Sequence, residues 1–219
     1  MNKSNLILFA EQLSYAKKRY PDLKILSDKV GLPFLRGILS IPNERNEIVG
    51  YYLTEIHYQE KFPYRFPILY EIGGEIPNEA NWHKYSDGRC CITVLADEIL
   101  ICKNGISVVM FISKYAIPFF ANDIYKKLTG DYKNGEYAHG INGIDQFYTS
   151  LLMTSDKDLW IRFFKNTFEG LPVDVPRNKP CFCGSGTKYK FCHQKVFNDL
   201  RQIGEEQVRH DFKLIFNEK

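Results

Sequence analysis

The sequence predicts an α+β fold: an antiparallel β-meander with flanking helices, followed by a small C-terminal metal-binding module. Three observations lead there. Runs rich in β-branched and aromatic residues follow one another through short turn-like connections, which antiparallel strands allow and parallel strands do not. Apolar residues at helical spacing precede and follow those runs. Near the C-terminus, thirteen residues, "CFCGSGTKYKFCH", hold three cysteines and a histidine.

Taken in order, Ser4 is placed to cap a first helix whose apolar positions are Leu6, Phe9, Leu13 and Ala16, and Pro21 closes it. "PFLRGILSIP" and "EIVGYYLTEIHY" read as strands separated by the turn-like "NERN". "FPILYEIGG" is a third, reached through the proline-bounded "KFPYRFP". "CCITVL" reads as a short strand, with a turn at "ADE" that would return the chain toward Cys102. "GISVVMFISKYAIPFFANDIYKKL" is a helix with Val109, Ile112, Ala116, Phe119 and Phe120 on one side, kinked or broken at Pro118. After the glycine-rich "TGDYKNGEYAHGING" come two amphipathic helices, "IDQFYTSLLM" and "DKDLWIRFFKNTF". The prolines and glycine of "EGLPVDVPRNKP" mark a boundary. This divides the chain into a domain over 1–170, a linker over 171–178, a metal module over 179–195 and a terminal helix over 196–219, interrupted at Gly204.

The 219 residues suffice for one sizeable core and an appendage. Hydrophobic residues at 44% and charged residues at 25% are the balance of a globular protein, and a net charge of +3 is too small to argue for nucleic acid or a membrane surface. No apolar run has the length of a membrane span and no cleavable signal is visible, so the cytoplasm is the expected compartment. Six cysteines there are expected to be metal ligands or reactive thiols, not disulfides.

Cys181, Cys183, Cys192 and His193 supply three thiolates and an imidazole, a full tetrahedral set for zinc with no position left for water. The expected metal is therefore structural zinc. Gly184 and Gly186 permit the tight turn that brings the ligands together. The residues Pro180, Cys181, Cys183, Gly184, Ser185, Gly186, Lys188, Tyr189, Lys190, Cys192 and His193 closely resemble the SEC-C motif, a zinc module found at the C-terminus of the SecA translocation ATPase and attached to many other bacterial proteins. In that family the module is an adaptor that docks proteins or polyanionic surfaces. Arg177, Lys179, Lys188, Lys190 and Lys195, interleaved with Phe182, Tyr189 and Phe191, could serve a nucleic-acid or acidic-protein partner, or form a solvated surface.

Cys90 and Cys91 stand side by side after His83 and a turn-forming Asp87-Gly88. On a strand, one thiol would point to each face. The order of helix, meander, "FPYRFP", histidine, glycine and cysteine resembles the ubiquitin-conjugating enzymes over about residues 1 to 160. Phe62, Pro63, Phe66 and Pro67 match that family's proline-bearing segment loosely, His83 its histidine, and Gly88 the glycine three residues before its catalytic cysteine. The resemblance implies a ubiquitin-conjugating-like fold with Cys91 as nucleophile. A cysteine suits acyl transfer because its thiolate both attacks and leaves well.

Two departures stand out. His83 lies closer to the cysteine than in the family, and Lys84 and Tyr85 occupy the places of its proline and asparagine, so the usual amide donor is missing. Asn81 and His139 are candidates to replace it. Arg89, Lys103 and His83 are candidates to favour the thiolate. Cys102 could act as a second thiol in a relay, or be a buried strand residue.

A ubiquitin-conjugating-like domain joined to a zinc module looks like the stand-alone conjugating proteins of bacterial CBASS antiphage operons. That resemblance implies a cGAS-like nucleotidyltransferase as the protein carboxyl donor. With no glycine-rich nucleotide loop in the sequence, ATP-dependent activation is expected on a separate protein. The rival reading is a non-catalytic adaptor that binds a ubiquitin-like or cyclase partner while the zinc module docks a second. Nucleic-acid binding draws only on the basic cluster.

Overall fold

The computed structural model describes residues 3–132, 138, 140–169, 176–181 and 183–217. In chain order, α1 (Lys3–Arg19) is followed by β1 (Leu23–Ser27), β2 (Pro33–Pro42), β3 (Ile48–His57) and β4 (Ile68–Glu71). Next come α2 (Leu95–Ile101), a 3₁₀ turn (Cys102–Asn104), α3 (Val108–Phe111), a π turn (Ile112–Ala116) and α4 (Ile117–Thr129). Then follow α5 (Ile141–Leu152), α6 (Lys157–Phe168), α7 (Gln194–Ile203) and α8 (Glu205–Asn217). The fold is mixed α+β with a four-stranded antiparallel sheet. No helix among the described residues is long and apolar enough to cross a membrane.

Packing divides the chain into two compact units. Met1–Thr93 with Ile101–Glu136 form the first, and Val94–Leu100 with Tyr137–Lys219 form the second.

In the first unit the sheet is a simple meander, β1-β2-β3-β4. Leu35 pairs with Ile56, Leu39 with Tyr52, and Ile56 with Leu69, and all of these side chains are buried. Arg36 and Tyr51, one residue away on their strands, face out. Against the buried face pack Phe9, Leu13 and Ala16 of α1, at the spacing the sequence shows, with Phe62, Phe66, Phe111 and Phe120. Because α1 already includes Lys3, Ser4 lies inside the helix and is not its cap. β1 has no apolar alternation, since only Leu23 of its five residues is buried, and the sequence reading misses it for that reason.

Pro118 does not break its helix. The π turn immediately before α4 widens the coil where proline removes an N–H donor, and the helix runs on to Thr129.

The second unit is helical. Its core holds Phe147, Tyr148 and Leu152 of α5, Trp160 and Phe163 of α6, Phe197 and Leu200 of α7, and Val208 and Phe212 of α8. Asp156 caps α6 by accepting from the N–H groups of Asp158 and Leu159. The Trp160 indole donates to the Thr154 carbonyl at 2.8 Å, and the Tyr148 hydroxyl to Asp211 Oδ2 at 2.9 Å. These packed units are divided elsewhere than at residue 170. The amphipathic faces of α5 and α6 need apolar partners and find them on α7 and α8, so 141–168 belongs with the C-terminal helices. Residues 171–175 of the expected linker lie outside the described residues.

Candidate functional site

The central cysteines sit on a short hairpin. The Cys91 N–H donates to the His83 carbonyl at 2.7 Å, Lys84 and Cys90 form an antiparallel bridge, and the Tyr85 N–H donates to the Arg89 carbonyl at 2.9 Å. Gly88, with φ of 84°, supplies the left-handed residue of the turn, and Asp87 Oδ1 accepts from the Arg89 N–H. The expected strand over "CCITVL" is absent. Regular pairing stops at the Cys90 bridge, and α2 begins at Leu95.

Alternation along the hairpin separates the two thiols. Cys90 is 7% exposed, and burial pushes its thiol up to about 12. Lys84, its bridge partner, is buried as well. Lys84 Nζ lies 2.5 Å from Glu71 Oε2 and donates to the Ile76 carbonyl at 2.9 Å. Burial opposes ionisation of Glu71, but Lys84 and the N–H groups of Glu75 and Ile76 hold it below the usual carboxylate range. This buried pair ties the start of the hairpin to the end of β4.

Cys91 lies on the other side, half-buried and accessible. The Tyr85 hydroxyl donates to Cys91 Sγ at 3.4 Å, and the Arg89 guanidinium lies 4.6 Å from the Tyr85 ring centre. The hydrogen bond to Cys91, with burial, pushes the Tyr85 phenol up to about 12. In the sequence Tyr85 stands out only as the loss of an asparagine. The signal that could have found it is its position across the Asp-Gly turn from Cys91.

Of the other candidates, His83 contributes its carbonyl to the Cys91 amide, while its ring packs edge-on against Tyr132. The Asn81 carbonyl accepts from Lys126 Nζ and from the Tyr132 hydroxyl. Lys103 is exposed. The expected hairpin return toward Cys102 is replaced by α2 and the 3₁₀ turn, and Cys102 is 0% exposed within the first unit's core. His139 lies outside the described residues.

In the second unit, the donor atoms of Cys181, Cys183, Cys192 and His193 all lie within 4.8 Å of one another. A small hairpin positions the first two. The Cys181 N–H donates to the Thr187 carbonyl, and Pro180 pairs with Lys188. Gly184 and Gly186 take positive φ between them. A 3₁₀ turn (Tyr189–Phe191) delivers Cys192 and His193 at the start of α7.

Tetrahedral zinc with Zn–S bonds of about 2.3 Å separates sulfurs by roughly 3.8 Å. Cys183 Sγ and Cys192 Sγ are 3.6 Å apart, and Cys181 Sγ is 3.3 Å from His193 Nδ1. His193 Nε2 lies 3.3 Å from the Leu152 carbonyl, which fixes the tautomer that leaves Nδ1 free to bind metal. Burial lowers the His193 pKa and favours the neutral ring such a ligand needs. The donor set therefore fits zinc, and its four positions leave none for a substrate. Around it Arg177, Lys179, Lys188 and Lys195 are exposed, as is the Phe191 ring. Lys195 pairs with Asp199 at 2.6 Å. Phe182 lies outside the described residues.

A family model described as "SEC-C motif", a zinc-binding motif, matches residues 177–195. Protein translocase subunit SecA of Cupriavidus metallidurans is 37% identical over 65 residues, covering 30% of this chain and 7% of that protein. No solved structure matches the chain significantly.

Proposed function

We propose that the chain is a cysteine acyltransferase of ubiquitin-conjugating-like type, with Cys91 as its acyl-carrying residue. One observation carries the reading. Of two adjacent cysteines, the hairpin buries Cys90 and presents Cys91 beside a hydrogen-bond donor. The four-stranded meander that leads into this hairpin agrees with the resemblance.

In the loading step, Cys91 thiolate attacks the carbonyl carbon of an activated C-terminal carboxyl. The C–S bond forms as the bond to the donor's leaving group breaks, and that group departs with the electron pair. In transfer, an amine attacks the thioester, a C–N bond forms, and the C–S pair returns to sulfur while the amine proton passes to solvent. Activation of the carboxyl with ATP belongs to a separate protein. The donor we favour is a cGAS-like nucleotidyltransferase in a bacterial antiphage operon, in the cytoplasm. The zinc module then serves as structure and as a docking face.

A non-catalytic adaptor is the second reading, supported by the exposed lysines and Phe191 beside the zinc site. Non-reducing electrophoresis after co-expression with the donor separates the two. The enzyme forms a reductant-sensitive adduct and the adaptor forms none.

A further inference from the structure

We propose that the Tyr85 phenol is a catalytic hydrogen-bond donor to the sulfur of Cys91, stabilising it whenever it carries negative charge. The inference rests on the acyl-transfer reading above and assigns a chemical role to the hydrogen-bond donor beside Cys91.

Three features of the hairpin aim the phenol. Tyr85 and Cys91 lie on the same side of a two-stranded turn whose opposite side buries Lys84 and Cys90. Two backbone bonds, Tyr85 N–H to Arg89 O and Gly88 N–H to Tyr85 O, each at 2.9 Å, fix the base of the tyrosine. The Arg89 guanidinium lies over the ring, 4.6 Å from its centre, and braces it. The hydroxyl then reaches Cys91 Sγ at 3.4 Å.

The chemistry needs a donor there twice. Sulfur is anionic as the attacking thiolate and again as the leaving thiolate, whereas in the resting thioester it is neutral and a poor acceptor. In transfer, a phenol at this position binds the departing thiolate more strongly than the neutral thioester sulfur, which is the condition for lowering the barrier to its departure. Tyr85 keeps its proton throughout, because a phenol is protonated at neutral pH and serves there as a donor. The acyl donor is a mixed carboxylic–phosphoric anhydride or a thioester on another protein, and its own leaving group carries away the electron pair.

The test compares the full-length, zinc-loaded chain with Tyr85→Phe, which keeps the ring and its contact with Arg89. Alkylation of Cys91 by iodoacetamide is followed by mass spectrometry of its peptide from roughly pH 6 to 10. The expected result is a profile displaced to higher pH in Tyr85→Phe, with a rate about tenfold lower near neutrality, as for loss of one charge-assisted hydrogen bond. Release of a preformed thioester to an amine should slow by about the same factor. Superimposable alkylation profiles overturn the proposal whatever the transfer assay gives. A displaced profile in a chain that forms no thioester supports the hydrogen bond and refutes the transfer reading, so the two failures are told apart.

Discussion

Lys84 Nζ and Glu71 Oε2 are 2.5 Å apart, and both side chains are buried. The pair clamps the start of the Cys91 hairpin to the end of β4, where Glu71 also accepts from the Gly73 N–H at 2.7 Å. Removing one member leaves the other charged and buried. Lys84→Met should therefore cost about 3–5 kcal/mol in denaturant unfolding of the first unit. A loss within ~0.5 kcal/mol would show that the clamp is dispensable.

The same pair sets an acid response. Lys84 and the backbone donors depress the Glu71 pKa in the folded state, so its contribution is present above the unfolded value of about 4.3 and is lost as pH falls through the folded value. Stability of the first unit should drop on that acid limb. Glu71→Gln should flatten the drop while lowering stability at neutral pH. An unchanged acid limb in Glu71→Gln would assign acid sensitivity to other carboxylates.

Thiol accessibility gives a third expectation. With zinc bound, iodoacetamide should label Cys91 well before Cys90 or Cys102, whose side chains are 7% and 0% exposed. Cys90→Ala should shift the unfolding midpoint and leave Cys91 reactivity intact. Equal labelling of Cys90 and Cys91 in the native chain would mean that the hairpin does not separate their faces.

The zinc ligands are wired into the second unit. The His193 ring packs on Phe163 at 4.7 Å and its Nε2 reaches the Leu152 carbonyl. Chelation or Cys183→Ser should therefore release about one zinc per chain and weaken amide protection in α5 and α6 as well as in the cysteine hairpin. A chain ending at Gly170 would lose α7 and α8 and uncover Trp160 and Phe163, and we expect its remaining helices to lose protection while the sheet unit stays folded. Protection of α5 and α6 unchanged by chelation would restore the picture of an appended, independent module.

Much of this was legible in the residues, for identifiable reasons. β2 and β3 show themselves through β-branched and aromatic residues suited to a half-buried sheet, and α1 through helical spacing because it packs on the sheet's buried face. β1 carries almost no pattern, since one buried leucine is not a period. The zinc set could be read because its ligands are close in sequence. Its attachment to α5 could not, because Leu152 contributes a backbone carbonyl that any residue would supply. Tyr85 was visible only as a departure from a resemblance. Its hydrogen bond to Cys91 depends on the hairpin folding Tyr85 back toward that thiol, which spacing alone does not reveal.

Whether Cys91 carries an acyl group is decided by intact-mass analysis with peptide mapping. The chain should be co-expressed with its carboxyl donor, alongside Cys91→Ala, Cys91→Ser and Cys102→Ala. A hydroxylamine-sensitive adduct mapped to Cys91 is expected in the parent, none in Cys91→Ala, and a more durable ester in Cys91→Ser, because alkoxide is the poorer leaving group. An adduct retained in Cys91→Ala but lost in Cys102→Ala, or no adduct in any chain, would contradict it.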